Sequence, residues 1–430
     1  MPFAPASPAS LLTRRRCLGL LACACLPWRP MAVRAEPAED EEWVAGWIAA
    51  AHDHRALLLP LGMPPLVLQD QTVRQHMLVA AGGHALRVRL SNRFGDQPLV
   101  VGAAGVGLCT GPDALSPGTL RPLRFDGRPG TTLAPHTERW SDPVALEVTA
   151  DQRLAVSLHL PQATVIGTGH ATSPASSQAA AGDQVMHSRL AAPVDLPWNP
   201  IVTAIDVRIA QQPAKVVVAF GDSITQGASA ADSTAASYPA RLAARLRGAR
   251  EAPPVVVLNA GLSGNRLLRD GTGPRGLARF AHDALQVSGV THVIVLIGIN
   301  DIGWGTAGGE RPVWLVPPWD VATPDAITAG LQRLVGEARA QGVKVLLGTL
   351  PPFKGSPYWS EDNERTRQAV NRWIRGRQDV DAVIDFDAAL RAKDDALMLH
   401  PAFDSGDHLH PSEAGFAAMA AAADVPELRE

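Results

Sequence analysis

The chain has 430 residues, of which 46% are hydrophobic and 19% are charged, and its formal net charge is −3. This composition is typical of a folded globular protein with a sizeable core, and the length favours two domains over one. Because the chain carries no excess of positive charge, it offers no basic surface for phosphates, which argues against nucleic acid as a partner.

Residues 1–35 are predicted to be an export signal of the twin-arginine type. Three arginines, Arg14 to Arg16, precede an apolar run from Cys17 to Trp28, and a site of small residues ends at Ala35. The run is shorter than the roughly 20 apolar residues that cross a bilayer. We therefore expect a periplasmic or extracellular protein whose mature form has no stable membrane span.

Cysteine usage follows from this signal. Cys17, Cys23 and Cys25 lie within it, so the mature protein retains only Cys109 and forms no internal disulfide. Lipoprotein anchoring at Cys23 is the less favoured alternative, because Leu21 fits the sequence pattern for such anchoring poorly.

Residues 36–211 are predicted to form an all-β sandwich of the jelly-roll kind. Apolar and polar residues alternate in several segments, which indicates strands with one buried face. These segments are residues 86–91, 144–148, 154–160 and 204–209. Turn-rich stretches separate them, as in sandwiches built from short strands. Residues 172–184 are poor in bulky apolar side chains and are predicted to be a surface loop.

Residues 212–430 are predicted to form a three-layer α/β/α domain with a flavodoxin-like parallel sheet. Continuous apolar runs, which buried parallel strands require, alternate here with segments of helical spacing. The apolar runs are residues 216–220, 255–258, 293–297, 343–349 and 382–386. Ligands of such sheets bind beyond the carboxyl ends of the strands, so the residues after each run are the informative ones.

Four short motifs stand at these informative positions and near the C-terminus. They are GDSIT (221–225), GLSGN (261–265), GIND (298–301) and DHLH (407–410). Their residue types supply nucleophiles, bases and backbone donors. Ser223 alone is ambiguous, because a strand followed by a glycine turn and an Asp or Ser helix cap is ordinary loop chemistry.

Together and in this order, the four motifs resemble those of the SGNH hydrolases in the GDSL esterase and lipase superfamily. The resemblance implies that Ser223 is the nucleophile and that Asp407 and His410 complete a catalytic triad. It also implies an oxyanion hole formed by Ser223, Gly264 and Asn300. The segments WVAGWIAA, DQTVRQ and RVRLSNRFGD are similar to the sandwich that precedes the catalytic domain in a secreted bacterial subgroup.

The chemistry of these residue types agrees with the implied roles. A serine hydroxyl needs a neighbouring base, which neutral imidazole supplies, and the imidazole needs a carboxylate to fix its tautomer. Two backbone N–H groups and a side-chain amide around one point suit a developing oxyanion. The alternatives are that Gly264 permits a tight turn and that Asn300 caps a helix.

Other polar residues near these motifs leave further interpretations open. His400, Asp404 and His408 lie close to the DHLH motif, so a metal site is an alternative, although no known ligand spacing is present. The serine mechanism requires no metal or cofactor. Asp222 is predicted to hold the turn beside Ser223. Arg266 either binds substrate or caps a helix.

Aromatic residues after the third and fourth strands are candidates for substrate binding, because their rings stack on sugars or line acyl pockets. These candidates are Trp304, Trp314, Trp319, Tyr358 and Trp359. Packing against the sandwich is the alternative role.

The sequence as a whole predicts a metal-independent serine esterase. Its substrates are expected to be short-chain or O-acetyl esters of small molecules or polysaccharides. The alternatives are a lipase or phospholipase, an acyltransferase that uses the same triad, and a catalytically inactive carbohydrate-binding protein.

Overall fold

Two architectures follow one another in the computed structural model, which describes residues 42–58, 64–172, 176–196, 198–209, 215–247, 254–305 and 321–430. Strands dominate the first half, whereas strands and helices alternate in the second. No helix in these ranges is both long and apolar enough to cross a membrane. The predicted export signal lies outside the described residues and stays a prediction.

Among its described residues, the first half contains strands, one short α-helix, α1 (Arg55–Leu58), and a 3-10 helix at Pro117–Thr119. The strands are β1 (Glu42–Ile48), β2 (His52–Asp53), β3 (Val67–Leu68), β4 (Gln71–Leu78), β5 (Gly83–Ser91), β6 (Leu99–Val101), β7 (Ala103–Gly111), β8 (Ala114–Leu115), β9 (Arg121–Pro122), β10 (Thr131–Leu133), β11 (Glu138–Trp140), β12 (Val144–Val148), β13 (Arg153–Leu160), β14 (Thr164–Val165), β15 (Thr168–His170), β16 (Ser177–Ala181), β17 (Val194–Leu196), β18 (Asn199–Pro200) and β19 (Val202–Ile209).

Two antiparallel sheets form the body of this half. One has the order β1-β19-β5-β11, with β12 also pairing with β5, and the other has the order β17-β16-β4-β13-β7-β8. Every second residue of β5 and of β13 is fully buried, including Leu86, Val88, Leu154 and Val156. The alternation places one face of β5 in the core, whereas β13 is buried on both faces, since Ala155 and Ser157 are buried as well. The predicted β-sandwich is therefore confirmed.

The prediction of a surface loop at residues 172–184 is wrong for part of that segment. Ser177–Ala181 forms β16, which pairs with β4 on one side and with β17 on the other. Ala179 and Ala180 are buried. Backbone hydrogen bonds to two neighbouring strands hold a strand in place. Bulky side chains are not required in such a strand when its neighbours fill the core.

The second half contains five parallel strands and the remaining α-helices of the described residues. The strands are β20 (Lys215–Gly221), β21 (Val255–Gly261), β22 (His292–Leu296), β23 (Lys344–Gly348) and β24 (Ala382–Ile384). The helices are α2 (Ser223–Gln226), α3 (Ser233–Ala236), α4 (Tyr238–Arg247), α5 (Gly276–Phe280), α6 (Ile299–Gly303), α7 (Pro324–Ala340), α8 (Glu361–Arg375), α9 (Phe386–Leu390) and α10 (Glu413–Ala422).

The parallel sheet determines where a site can form. Its strand order is β21-β20-β22-β23-β24, the flavodoxin-like order that the sequence predicts. Val217, Val218, Ala219 and Phe220 of β20 are all fully buried, so both faces of the sheet are covered. The chain reverses its direction of winding between β20 and β22, and ligands of such sheets bind at the carboxyl ends of these two strands.

The sandwich and the parallel-sheet half are joined by polar contacts. The N–H of Ala45 in β1 donates to the carbonyl of Ser288 (3.0 Å), and the Ser288 hydroxyl donates to Asp206 of β19 (2.7 Å). Contacts group residues 40–430 into one compact unit. The predicted domain boundary near residue 211 falls within residues 210–214, which lie outside the described residues, and it stays a prediction.

Three buried histidines of the sandwich half lie close together. The rings of His52 and His54 are 4.3 Å apart, and the His54 ring stacks on Trp198 at 4.4 Å. Burial, reinforced by the repulsion that a second positive charge on His170 would exert, lowers the pKa of His52 to about 4. Burial, together with His52, lowers the pKa of His54 to about 2. The fold therefore holds these imidazoles neutral.

We expect acid to destabilise the fold through His54. Its pKa is lowered on folding, so the unfolded chain binds the proton first, and stability is lost as pH falls below about 6.5 toward the folded pKa. Within that range one such group removes about 1.4 kcal/mol per pH unit from the free energy of unfolding. His54→Phe, which keeps a ring on Trp198, should lose less stability between pH 7 and 5 in urea denaturation. A pH slope equal to that of the wild type would contradict this expectation.

Candidate functional site

Ser223 lies where β20 passes into α2. The helix cap is Asp222, whose carboxylate accepts the N–H of Ile224 at 3.0 Å, so Ser223 is not the cap. The Ser223 hydroxyl instead lies 2.8 Å from Nε2 of His410. Asp222 holds the turn as the sequence predicts, and its burial raises the pKa of its carboxyl group to about 7.

His410 is held from its other side by Asp407. Nδ1 of His410 lies 2.6 Å from Oδ2 of Asp407, and Oδ1 accepts the backbone N–H groups of His410 (2.8 Å) and Leu409 (3.0 Å). Partial burial alone raises the pKa of Asp407, but the hydrogen bond from the His410 ring and those from the two amides lower it well below its usual range. Asp407 is therefore a carboxylate that orients the ring of His410.

A second His–Asp pair lies beside the first, which the sequence analysis did not predict. Nδ1 of His408 is 2.5 Å from Asp404, four residues earlier in the chain, and His408 has a left-handed backbone with φ +59°. His400 uses its Nδ1 to accept the N–H of Ala402. Within the described ranges, no three His, Cys, Asp or Glu side chains are grouped to hold a metal ion.

Gly264 occupies a position that favours glycine. Its backbone is left-handed, with φ +69°, and a Cβ there would lie 2.8 Å from Cγ2 of Thr272 and 2.9 Å from Cζ2 of Trp304. No acceptor among the described residues takes its N–H. This N–H is therefore available to a bound group.

Asn300 lies at the start of α6, after β22, but does not cap that helix. The cap position is Gly298, which makes no side-chain hydrogen bond, so the alternative role of Asn300 as a cap is wrong. Nδ2 of Asn300 donates to the carbonyl of Asn265 at 3.0 Å, and Oδ1 accepts from Nε1 of Trp304 and from the hydroxyl of Tyr358, both at 2.8 Å. One N–H of the amide remains for a ligand.

Two further residues support the loop that carries Gly264. Asp301 accepts the N–H groups of Leu267 (2.6 Å) and Leu268 (2.9 Å), and burial raises the pKa of its carboxyl group to about 6. Arg266 donates to the carbonyl of Asp270, within the same loop. Both residues hold the backbone that follows the GLSGN motif.

The aromatic candidates separate into three groups. Trp304 and Tyr358 contact Asn300, as described above. Trp359 is half-buried and packs edge to face on Phe353 at 6.0 Å. Trp314 and Trp319 lie outside the described residues, so their predicted role in substrate binding stays a prediction.

Gln226 and Arg279 support the site but were missed from the sequence. Gln226 donates to the carbonyl of Ala171 in the sandwich half and accepts the N–H of Ser263, both at 2.6 Å. Arg279 donates to the carbonyl of Gly221 at 2.6 Å. Neither residue belongs to one of the four motifs. Because their partners are distant in sequence, no local spacing indicates their roles.

The arrangement agrees with one known family. A comparison with family models matches residues 219–418 to the GDSL-like lipase/acylhydrolase family. No curated protein matches the chain.

Several solved structures resemble about half of the chain. A GDSL-like lipase from Bacteroides thetaiotaomicron is 18% identical over 49% of this chain and 85% of its own, with a TM-score of 0.34. An acetylxylan esterase from Geobacillus stearothermophilus is 23% identical over 49% of this chain and 92% of its own, with a TM-score of 0.36. A catalytic mutant of that esterase is 25% identical over the same shares, with a TM-score of 0.36.

The family match carries the assignment, and the four motifs at the carboxyl ends of the parallel sheet agree with it. Residues 219–418 of this chain form a GDSL-like lipase/acylhydrolase domain of the SGNH/GDSL hydrolase superfamily.

Proposed function

We propose that this hydrolase is a serine esterase that cleaves short-chain or O-acetyl carboxylic esters through an acyl-enzyme. The observation that carries the proposal is the hydrogen-bonded line from Ser223 through His410 to Asp407. The distances are 2.8 Å from Ser223 Oγ to His410 Nε2 and 2.6 Å from His410 Nδ1 to Asp407. A nucleophile, a base and an orienting carboxylate within hydrogen-bond reach are the arrangement that activates a serine hydroxyl.

In the proposed reaction, Oγ of Ser223 attacks the ester carbonyl carbon while Nε2 of His410 takes the hydroxyl proton. The carbonyl oxygen becomes an oxyanion, which accepts hydrogen bonds from the N–H groups of Ser223 and Gly264 and from the amide of Asn300. His410 then protonates the departing alcohol. Water repeats the sequence on the acyl-enzyme, which releases the acid and restores the serine. Asp407 stabilises the imidazolium at each stage.

The residues of the loop after β23 favour substrates in which the alcohol portion of the ester is polar and hydroxylated. A Cβ on Gly355 would lie 3.0 Å from the ring of His408, so this loop lies beside the proposed triad. On the same loop, Nζ of Lys354 lies 5.9 Å from the ring centroid of Trp359 and pairs with Asp395 at 2.6 Å. An aromatic ring flanked by charged groups suits a hydrated sugar better than an aliphatic chain.

Ser223→Ala should abolish both ester hydrolysis and labelling by a fluorophosphonate, because only Ser223 contacts His410 Nε2 among the described residues. The matched control is Ser263→Ala, which removes a serine hydroxyl from the neighbouring motif and should leave both unchanged. Hydrolysis is measured with p-nitrophenyl esters of two to twelve carbons and with acetylated xylan. We expect the acetyl substrates to react fastest and chelators to have no effect.

Other results of this screen would contradict the proposal. Labelling at a different serine would remove Ser223 as the nucleophile. A preference for the longest acyl chains would favour a lipase, and transfer of the acyl group to an added alcohol in place of hydrolysis would favour an acyltransferase. An intact wild type that neither reacts with the label nor cleaves any ester would favour the catalytically inactive alternative.

Gly264→Ala keeps the backbone N–H, but its Cβ would lie 2.8 Å from Thr272 and 2.9 Å from Trp304, so the loop must shift and carry that N–H away from the oxyanion. We expect kcat to fall by up to about 10²-fold, the loss that removal of one oxyanion donor causes. The matched control is Gly342→Ala, because Gly342 has the same left-handed backbone (φ +72°) but nothing within 4 Å of the added Cβ. Both substitutions should cost about 1–2 kcal/mol of stability through backbone strain, and Gly264→Ala should cost more because its Cβ also crowds Thr272 and Trp304. Thermal unfolding measures the loss of stability, and steady-state kinetics measures the loss of kcat. A Gly264→Ala enzyme with wild-type kcat would contradict the proposed role of this N–H, because the added Cβ forces the loop that carries it to move.

A further inference from the structure

We infer that Trp304 and Tyr358 are positioning residues that fix the amide of Asn300 with its N–H toward the substrate oxyanion. The inference rests on the proposed function, since it concerns the oxyanion hole of that reaction. It also gives these two aromatic side chains a role other than the substrate binding that the sequence predicts for them.

Asn300 needs such positioning because its two amide ends have nearly the same shape. The terminal torsion of an asparagine side chain is broad and roughly two-fold, so the side chain itself does not decide which end faces the ligand. An amide turned by 180° would present Oδ1, a second negative dipole, to the oxyanion. Only the orientation with Nδ2 toward the ligand can stabilise the transition state.

The partners of Asn300 distinguish the two orientations. The indole Nε1–H of Trp304 is a donor only, so it requires Oδ1 at the end that it contacts at 2.8 Å. The carbonyl of Asn265 is an acceptor only, so it requires Nδ2 at the other end, at 3.0 Å. The hydroxyl of Tyr358 adds a second donor to Oδ1 at 2.8 Å. A turned amide would place a donor against Nε1–H and an acceptor against a carbonyl.

Trp304 is fixed by α6 and by Gly264. Its backbone N–H donates to the carbonyl of Asn300 at 3.1 Å, four residues earlier, so the helix sets the distance between the two side chains. A Cβ on Gly264 would lie 2.9 Å from the indole ring, which therefore packs closely on that glycine. One indole thus contacts both oxyanion donors that lie outside Ser223.

Tyr358 is fixed by packing on the opposite side of Asn300. The residue is 6% exposed, and its ring lies against Gly303, where a Cβ would collide with the ring at 2.0 Å. Its carbonyl accepts Nδ2 of Asn363 at 2.7 Å. Because the ring cannot shift, the hydroxyl is held toward Oδ1 of Asn300. Tyr358 follows β23, so the contact also joins the carboxyl ends of β22 and β23.

The test is a double-mutant cycle between Tyr358→Phe and Asn300→Ala, measured as kcat and KM on p-nitrophenyl acetate. Tyr358→Phe removes one hydroxyl and should lower kcat about tenfold with KM within a factor of two, as loss of one neutral hydrogen bond predicts. In the Asn300→Ala background the same change should have no further effect, because its target is gone. Trp304→Phe provides a second, independent cycle with the same expectation.

The matched control is Tyr238→Phe, which removes the hydroxyl of the other tyrosine in the chain. Tyr238 is buried, its ring packs on Phe386 at 5.4 Å, and its hydroxyl makes no hydrogen bond to Asn300 or to the partners of Asn300. We expect the kcat of the Tyr238→Phe enzyme to equal that of the wild type. Thermal unfolding of every variant establishes that the enzyme measured is folded.

The possible outcomes separate the two proposals. The positioning role would be overturned if Tyr358→Phe lowered kcat equally with and without Asn300, or if it changed KM alone. In either case ester hydrolysis by the wild type would remain, so the proposed function would stand. A wild type inactive on every ester would overturn the proposed function and, with it, the inference that rests on it.

Discussion

The carboxyl edge of the parallel sheet depends on one buried cation. The guanidinium of Arg279, 1% exposed, donates to the carbonyls of Gly221 (2.6 Å) and Ala260 (2.9 Å) and to the side chain of Asn265 (2.8 Å). It therefore joins the ends of β20 and β21 to the loop that carries Gly264. The guanidinium also lies 4.0 Å above the ring of Phe220. Arg279 therefore helps to set the positions of Ser223 and Gly264 relative to one another, together with the contact between Gln226 and the N–H of Ser263.

A buried cation such as Arg279 needs a buried anion nearby. The contacts that meet this need continue from Arg279 to a residue of the sandwich. Asp283 pairs with Arg279 at 3.2 Å and lies 2.6 Å from Nδ1 of His282. Burial alone raises the pKa of Asp283, but His282 and Arg279 lower it below its usual range. Nε2 of His282 in turn lies 2.7 Å from Glu138 of β11. Charges that would be costly to bury singly are therefore matched in a continuous chain.

The strands and motifs of this protein are readable from sequence because they depend on local pattern. Periodicity of two marks β5 and β13, and continuous apolar runs mark the five parallel strands, since burial on one or both faces imposes those patterns directly. The order of four motifs identified Ser223, Gly264, Asn300, Asp407 and His410 as a group, and the structure brings these residues to one edge of the sheet.

The supporting contacts are not readable, because each joins residues that are distant in sequence. Tyr358 reaches Asn300 across 58 positions, and Gln226 reaches Ala171 across 55. Arg279 follows a glycine-rich loop and has the surroundings of an ordinary exposed arginine in the sequence. Strand β16 lacks bulky residues, so its pairing with β4 and β17 leaves no signal in its own composition.

The contact between Gln226 and the carbonyl of Ala171 bears on how this enzyme can be divided or recombined. A catalytic part cut at residue 215 would lose that partner of the nucleophile-bearing helix, and it would also lose Glu138 from the far end of the buried charge chain. A replacement module would have to supply a carbonyl and a carboxylate at the same two points. The sandwich is therefore part of the structural support of the hydrolase domain. A catalytic half transferred without it should have a less rigidly positioned nucleophile helix.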